Sequence, residues 1–305
     1  FAKQIKRIFW CGNYGDSIAS NNFLECLEFI RHSGVRGLTV VTNGSAQSPA
    51  WWTKIGNILD RDTDRVDFSI DGLEDTNHLY RINSNWKKLK ENVTAFIKAG
   101  GNANWDYLIF DHNIHQVAEA KQIAKKMGFK SINYKNTSRF VKVSDFNEVM
   151  EIETKNKNII SSKENKNKTK YDQIIDKFGT FNNYVDQTPI TCKYKKDTTV
   201  YIDFEMNLWP CCWVGAPTYF DDEDNIQKKQ IKQIQERYGK EFNSLKKYTL
   251  EQVLEHNFYN KDLNDSWGNT MTDSNPKLFT CGRTCGSDYE FSSAEGTFNS
   301  QRYTL

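Results

Sequence analysis

The sequence has no apolar run near the ~18 residues that a membrane-spanning helix needs, and no signal-peptide pattern at its start. It also has no excess of either charge, because 41 Lys and Arg residues against 39 Asp and Glu residues leave a formal net charge of +2. Balanced charge gives no general attraction to nucleic acid or to an anionic membrane. We therefore expect a soluble, cytoplasmic protein that binds neither, with one large domain or two ordinary ones.

The cysteines do not suit a disulfide framework. Their number is seven, which is odd, and the chain shows no secretion signal, so metal binding or buried thiols are favoured. Cys11 and Cys26 each lie in an apolar stretch, where cysteine packs as a small hydrophobic residue. The other five lie in the last third of the chain: Cys192, Cys211, Cys212, Cys281 and Cys285.

The spacing of these five cysteines favours an iron–sulfur cluster over zinc. Four thiolates complete either a tetrahedral zinc site or one [4Fe–4S] cluster. The commonest zinc module uses two short C-x2-C pairs, whereas here 18 residues separate Cys192 from Cys211 and three separate Cys281 from Cys285. Adjacent residues point to different sides, so only one of Cys211 and Cys212 is expected to be a ligand, with Cys212 as the alternate.

Strand-like apolar runs alternate with segments of helical period in the first half, with a repeat of roughly 25 to 30 residues. The predicted strands are residues 8–10, 38–41, 66–70, 105–110 and 131–134, and the predicted helices are residues 23–30, 50–59, 86–99 and 117–127. This alternation predicts an α/β fold with a parallel sheet or barrel and right-handed crossovers.

Glycine and polar residues follow the predicted strands. They are Gly12, Asn13, Gly15 and Asp16, then Thr42, Asn43 and Gly44, then Ser69, Asp71 and Gly72, then Asp111, His112 and Asn113. In α/β folds the carboxyl ends of the strands carry the ligand site, so we expect these groups to share one rim. Asn43 is expected to form an Asx turn with Gly44.

The chain changes character after about residue 135. Residues 155–170 form a polar run, for which a solvated connection is favoured over a nucleic-acid site. Residues 200–209 predict a β-hairpin with its turn near 205–207, and helical patterns follow at 226–238 and 250–256. The predicted regions are therefore 1–140, a connection over 141–190, and a second domain over 191–305.

Several short motifs in both halves match one enzyme superfamily. CGNYGD at 11–16, TNG at 42–44, SIDG at 69–72, LYR at 79–81, AGG at 99–101 and FDHN at 110–113 match its barrel motifs. Cys192, Met206 and Cys211 match its pattern of Cys, a span, Gly, four residues and Cys. The chain thus resembles the radical S-adenosylmethionine superfamily, specifically members with a C-terminal SPASM-like or twitch auxiliary-cluster domain.

The resemblance implies a fold and a set of cofactors. The fold is a partial (β/α)6 TIM-type barrel that lacks its first strand and helix, over 1–140, the last barrel helix region within 141–190, and a small α+β twitch or SPASM-like domain over 191–305. The cofactors are S-adenosylmethionine, the [4Fe–4S] cluster that binds it, and one auxiliary [4Fe–4S] cluster on Cys192, Cys211, Cys281 and Cys285. The residues implied to bind S-adenosylmethionine are Gly12, Asn13, Gly15, Asp16, Asn43, Ser69, Asp71, Arg81 and Asn113.

Three departures from the family pattern stand out. Asp16 replaces the usual Glu, and Met206 replaces the usual Gly, so the hairpin turn must avoid a positive φ at Met206 or shift it to Asn207. The C-x3-C-x2-C motif that holds the first cluster is absent from these 305 residues. We therefore expect the sequence to begin after the first barrel strand, with roughly 30 or more residues upstream, and expect this chain alone to be inactive.

By resemblance, the intact enzyme forms a 5′-deoxyadenosyl radical that removes a hydrogen atom from a peptide, a protein or a small metabolite. It is an oxidoreductase or modifying enzyme, and its electron donor is a protein such as flavodoxin or ferredoxin. No residue is assigned as catalytic. The alternative is a non-catalytic degenerate barrel with a structural zinc site. An S-adenosylmethionine methyltransferase is disfavoured because the chain has no G-x-G-x-G loop.

Overall fold

The structure is a computed structural model that describes residues 2–136, 152–153, 159–160, 173–287 and 298–305. The chain divides into two compact units, each with its own interior. The first unit comprises Phe1–Glu164 with Thr297–Leu305, and the second comprises Asn165–Gly296. No helix in the described ranges is both long and apolar enough to cross a membrane.

The first unit is a mixed α/β structure with a mostly parallel sheet. Its strands are β1 (Ile8–Trp10), β2 (Leu38–Thr42), β3 (Arg65–Ser69), β4 (Ala103–Ile109), β5 (Ser131–Asn136) and the last strand of the chain, β10 (Phe298–Thr304). Its helices are α1 (Phe23–Ser33), α2 (Pro49–Ile58), α3 (Asn77–Tyr80), α4 (Trp86–Lys98) and α5 (Val117–Met127). The first five strands lie side by side in chain order and run parallel, which confirms the predicted β-α alternation.

The last strand corrects the predicted end of the second domain. Residues 191–305 were expected to form that domain, but β10 pairs antiparallel with β5 and completes the six-stranded sheet of the first unit. The ring of Tyr303 packs edge to face on Tyr134, with 5.9 Å between ring centroids, and the Lys121 ammonium lies 3.8 Å from the Tyr303 centroid. These contacts fix the returning strand at the β5 edge.

Aromatic rings fill the interior between the sheet and its helices. Trp52 lies 5.2 Å from Phe68 and 5.9 Å from Phe96 between ring centroids, and Trp105 lies 5.2 Å from Phe129. All five side chains are buried. Large rings in tilted and edge-to-face contact lock neighbouring elements together, so the strand ends above them are held on a rigid base.

The opposite edge of the sheet is formed by β1, which pairs only with β2 in the described sheet. The Phe9 side chain is 54% exposed, as expected for an apolar strand edge.

Two short strands, β6 (Ile152–Glu153) and β7 (Ile159–Ile160), pair antiparallel in the intervening region. The rest of the polar run at 155–170 lies outside the described residues.

The second unit is built from a hairpin and short helices. The hairpin consists of β8 (Tyr201–Ile202) and β9 (Leu208–Trp209). The helices are α6 (173–178), α7 (Phe181–Gln187), α8 (Lys193–Lys196), α9 (Cys212–Gly215), α10 (Ile226–Tyr238), α11 (Leu250–Leu254), a π-helical turn (Phe258–Asp262), α12 (Leu263–Ser266) and α13 (Phe279–Cys285). The predicted hairpin and the helix at 226–238 are confirmed.

The hairpin turn corrects one expectation. The turn was expected to avoid a positive φ at Met206, yet Met206 adopts φ +68°. The carboxylate of Asp203 explains this, because it accepts hydrogen bonds from the backbone N–H groups of Glu205 (2.9 Å) and Asn207 (2.8 Å) on both sides of Met206. A strained conformation persists where its surroundings over-determine it.

Candidate functional site

The loop after β1 is a tight, exposed glycine turn. A Cβ placed on Gly12 would lie 1.7 Å from the Gly15 carbonyl oxygen, and Gly15 has φ +144°, so both positions require glycine. Gly12, Asn13 and Gly15 are all exposed. The turn therefore presents backbone rather than bulky side chains at the carboxyl end of β1, which suits close approach of a ligand.

Asp16 ties that loop to the end of β2. Its Oδ2 accepts hydrogen bonds from the Thr42 hydroxyl (2.7 Å) and the Asn43 backbone N–H (3.0 Å), and its Oδ1 accepts one from the Ile18 N–H (3.3 Å). The Asn43 Oδ1 in turn accepts a hydrogen bond from the Ser45 N–H at 2.9 Å, which confirms the predicted Asx turn. The carboxylate of Asp16 thus positions two neighbouring loops.

Asp71 and Asn113 join the ends of β3 and β4, and both are fully buried. The Asp71 Oδ1 accepts a hydrogen bond from the Leu108 N–H at 2.7 Å, and its backbone carbonyl accepts one from the Asn113 Nδ2 at 2.9 Å. The Asn113 side chain also donates to the Leu108 carbonyl (2.9 Å) and accepts from the Phe110 N–H (2.8 Å). These amide and carboxylate groups are committed to holding the rim.

Arg81 forms an ion pair with Asp71, with 2.6 Å between Nε and Oδ2, and its guanidinium lies 5.2 Å from the Tyr80 ring centroid. Ser69 ends β3 and is half-buried. The nine residues predicted to bind a cofactor therefore lie at or after the carboxyl ends of β1, β2, β3 and β4, and these strands lie in order in the sheet. Their contacts divide them into an exposed group, led by the Gly12–Gly15 turn, and a buried group that supports it.

The sequence places His112 among the rim residues without giving it a role, and in the structure it lies in the loop after β4. Both ring nitrogens are buried without a hydrogen-bond partner among the described residues, and the ring stacks on Phe110 with centroids 5.2 Å apart. Burial lowers the pKa of His112, which favours the neutral imidazole. The FDHN motif at residues 110–113 was the sequence feature that pointed to His112.

Four cysteines of the second unit line one small cavity of about 20 Å³: Cys192, Cys211, Cys281 and Cys285. Cys281 and Cys285 lie one turn apart on α13 and so share a face of that helix. Cys211 follows the hairpin after Pro210, and Cys192 directly precedes α8. Three separate segments therefore bring their thiols to the same place.

Cys212 is turned away from this cavity. Its sulfur lies 3.4 Å from the Tyr194 hydroxyl, and it is not among the residues that line the cavity. The two adjacent cysteines thus point to different sides, as expected from their positions in the chain. Cys211 is the member of the pair that faces the other three thiols.

The thiols differ in their tendency to ionise. The Cys285 thiol donates a hydrogen bond to the Cys192 sulfur, and the N–H groups of Lys195 and Tyr194 also reach it, which together lower the pKa of Cys192 to about 6. Burial raises the pKa of Cys281 to about 12 and raises that of Cys211 as well. A bound metal centre favours thiolates, so it would remove this penalty at the buried positions.

The donor set fits an iron–sulfur cluster or zinc in number and type, because both take four thiolates. The four thiols surround only a small space, since the cavity of about 20 Å³ has room for a single water. Among the described residues no group of three or more His, Cys, Asp or Glu side chains is arranged around a single ion position. Loading of a cluster would require the thiols to move apart.

No protein-family model matches the chain, and no curated protein matches it. Solved structures do resemble it. Streptococcus suis SuiB is 11% identical, with a TM-score of 0.44 over 75% of this chain and 54% of SuiB. The protein anSMEcpe with bound AdoMet is 12% identical, with a TM-score of 0.45 over 90% of this chain and 75% of that one. A TYW1 structure with a lysine-pyruvate adduct bound is 13% identical, with a TM-score of 0.35 over 44% of this chain and 42% of that one.

The chain spans less than half the length of the TYW1 structures that it matches. SuiB has also been solved with the precursor peptide SuiA, and anSMEcpe with the Cp18Cys peptide. SuiB has been solved bound to S-adenosylmethionine, and anSMEcpe with bound AdoMet.

Proposed function

We propose that this chain is part of a radical S-adenosylmethionine enzyme that modifies a peptide or protein with the help of one auxiliary [4Fe–4S] cluster. The observation that carries the proposal is the convergence of Cys192, Cys211, Cys281 and Cys285 on one cavity. That cavity belongs to a unit separate from the α/β sheet whose strand ends carry the superfamily's motifs. A structural zinc site would explain the four thiols but not the rim.

At the rim, the exposed turn from Gly12 to Gly15 would bind the amino group of the methionine moiety of S-adenosylmethionine through backbone atoms. Ser69 would contact the ribose, and Arg81 would bind the carboxylate with the part of its guanidinium that Asp71 does not use. Asp16, Asn43, Asp71 and Asn113 act as positioning residues, because their polar atoms hold the loops to one another.

In the second unit, Cys192, Cys211, Cys281 and Cys285 hold the auxiliary cluster. When bound, S-adenosylmethionine and its cluster supply the radical that removes a hydrogen atom, and the auxiliary cluster supplies one-electron transfer or a substrate contact. The chain itself binds and orients these groups. The C-x3-C-x2-C thiolates needed by the first cluster are not among these 305 residues.

Peptide is the substrate class that we propose, because enzymes with auxiliary domains of this kind most commonly act on peptides and proteins. Small metabolites are the alternative class. An electron donor such as flavodoxin or ferredoxin is proposed as the protein partner.

Anaerobic reconstitution with iron and sulfide tests the auxiliary site. We expect a brown protein with about four iron and four sulfide per chain, and loss of iron in Cys192→Ala, Cys211→Ala, Cys281→Ala and Cys285→Ala. Cys212→Ala, whose sulfur faces Tyr194, and Cys26→Ser, whose thiol is exposed rather than packed as the sequence predicts, are matched controls that keep the iron. A colourless protein with about one zinc per chain would overturn the proposal in favour of a non-catalytic binding protein.

A further inference from the structure

Two tryptophans line the four-cysteine cavity with buried and unsatisfied indole N–H groups. Trp213 and Trp267 both contribute to the cavity wall. The Nε1 atom of each is buried and has no hydrogen-bond partner of ordinary geometry in the part of the chain that the structure describes. Buried donors are nearly always paired in proteins, so two such atoms around one small cavity call for an explanation.

The position of each indole is fixed by its own segment. Trp213 lies in α9, two residues after Cys211, so its ring and that sulfur are held by the same short turn. Trp267 directly follows α12, and the Lys195 ammonium lies 5.7 Å from its ring centroid while donating to the Asn264 side chain at 2.9 Å. Each ring is therefore held in place by its own segment of the chain.

Both tryptophans line the same small cavity as Cys211, Cys281 and Cys285. An indole N–H is only a donor, so a cation or an apolar filling would leave it unsatisfied. What it needs is an acceptor, and the acceptors that a loaded site would supply are thiolate and sulfide sulfurs.

We infer that Trp213 and Trp267 donate N–H···S hydrogen bonds to the auxiliary cluster and its thiolates, and thereby raise the reduction potential of the cluster. The inference rests on the proposed auxiliary cluster. A hydrogen bond to sulfur stabilises the reduced cluster more than the oxidised one, because reduction adds negative charge to the sulfurs. Both tryptophans are positioning residues, since they act on the cluster and touch no substrate.

The test compares reconstituted wild-type protein with Trp213→Phe, Trp267→Phe and the control Trp51→Phe, which removes an indole from the first unit. The midpoint potential of the cluster is measured by a redox titration monitored by electron paramagnetic resonance. We expect each cavity variant to keep its iron while the equilibrium constant for reduction falls about tenfold, which is ~59 mV for one electron. The control is expected to match the wild type.

The direction of the shift separates the inference from a purely structural role. Entry of water beside a smaller ring favours the more highly charged reduced cluster and raises the potential, so a rise or no change in both variants would overturn the inference. If the variants do not bind a cluster, the test is made on the wild-type protein with its cluster reduced. Wild-type protein labelled with 15N-indole tryptophan is expected to show coupling between the cluster and an exchangeable indole proton in electron–nuclear double resonance. Absence of that coupling refutes the inference, whereas a wild-type chain that binds no cluster refutes the proposed function instead.

Discussion

Replacement of Asp203 by alanine is expected to destabilise the second unit by about 2–4 kcal/mol. The Asp203 carboxylate is buried under the hairpin and accepts five hydrogen bonds. Its donors are the N–H groups of Glu205 and Asn207, the Asn207 side-chain amide, the Trp209 indole at 2.9 Å and the Tyr219 hydroxyl at 2.8 Å. Removal of the carboxylate leaves all five without their acceptor.

The size of the stability loss depends on which of these donors can hydrogen-bond to water instead. Glu205 is exposed and Asn207 is half-buried, so their groups recover part of the loss from solvent. Trp209 is completely buried and Tyr219 is half-buried, and an unsatisfied buried donor costs about 1–3 kcal/mol. The hydrogen bonds on either side of Met206 also hold its positive φ, so the strain there loses its support as well.

The assay is urea unfolding in which hydrogen exchange of peptides from the second unit reports the unfolding. The first unit therefore does not contribute to the signal. Asp197→Ala is the matched control, because Asp197 is an exposed carboxylate in the same unit. Asp203→Asn keeps the shape and one acceptor oxygen, so it is expected to lose less stability than Asp203→Ala. If Asp203→Ala and Asp197→Ala agree within about 0.5 kcal/mol, the Asp203 carboxylate does not hold the hairpin in the way described.

Three further predictions concern the same unit. Met206→Gly is expected to be more stable than Met206→Ala by roughly 0.5–1 kcal/mol in urea unfolding, because glycine tolerates φ +68°; equal stabilities would contradict this. Gly282→Ala is expected to cost about 1–3 kcal/mol by the same measurement, since its Cβ would lie 2.6 Å from the Val185 Cγ1 atom, and an unchanged midpoint would count against the packing described. Alkylation of the metal-free protein near about pH 7, followed by mass spectrometry, is expected to modify Cys192 before Cys281, because the pKa of Cys192 is lowered to about 6 and that of Cys281 is raised to about 12. At about pH 5 the thiolate of Cys192 is protonated, so its alkylation rate should fall about tenfold. Modification of Cys281 before Cys192, or an alkylation rate that does not depend on pH, would refute the lowered pKa of Cys192.

Local patterns predict most of the first unit, and long-range pairing accounts for what they miss. The helices at 117–127 and 226–238 match their predicted bounds because apolar periodicity along a helix is a local property. Local patterns do not predict β10, because it becomes a strand only by pairing with β5, which lies far earlier in the chain. The α13 helix was also missed, because Gly282 and two threonines weaken its local helical signal.

The candidate sites show the same limit. Cysteine spacing alone groups Cys192, Cys211, Cys281 and Cys285, and in the structure they line one cavity. Nothing in the sequence indicated that Asp71 and Asn113 would use their polar atoms to hold the loops, or that Trp213 and Trp267 would line the cavity of the four cysteines. Such roles depend on which groups meet across the fold, and one-dimensional spacing does not contain that information.

The two units place their functional residues differently with respect to their interiors, and this has a physical consequence. In the first unit, the aromatic cluster around Trp52 lies among buried apolar residues, and the Gly12–Gly15 turn is exposed, so the rim can change without opening the core. In the second unit, Cys211 and Cys281 are members of the hydrophobic core itself, packed with Trp209. A metal centre on those thiols would join segments almost a hundred residues apart in sequence at the centre of the unit, so binding free energy there is also folding free energy. Substitutions in that core therefore act on the site even when they touch no ligand.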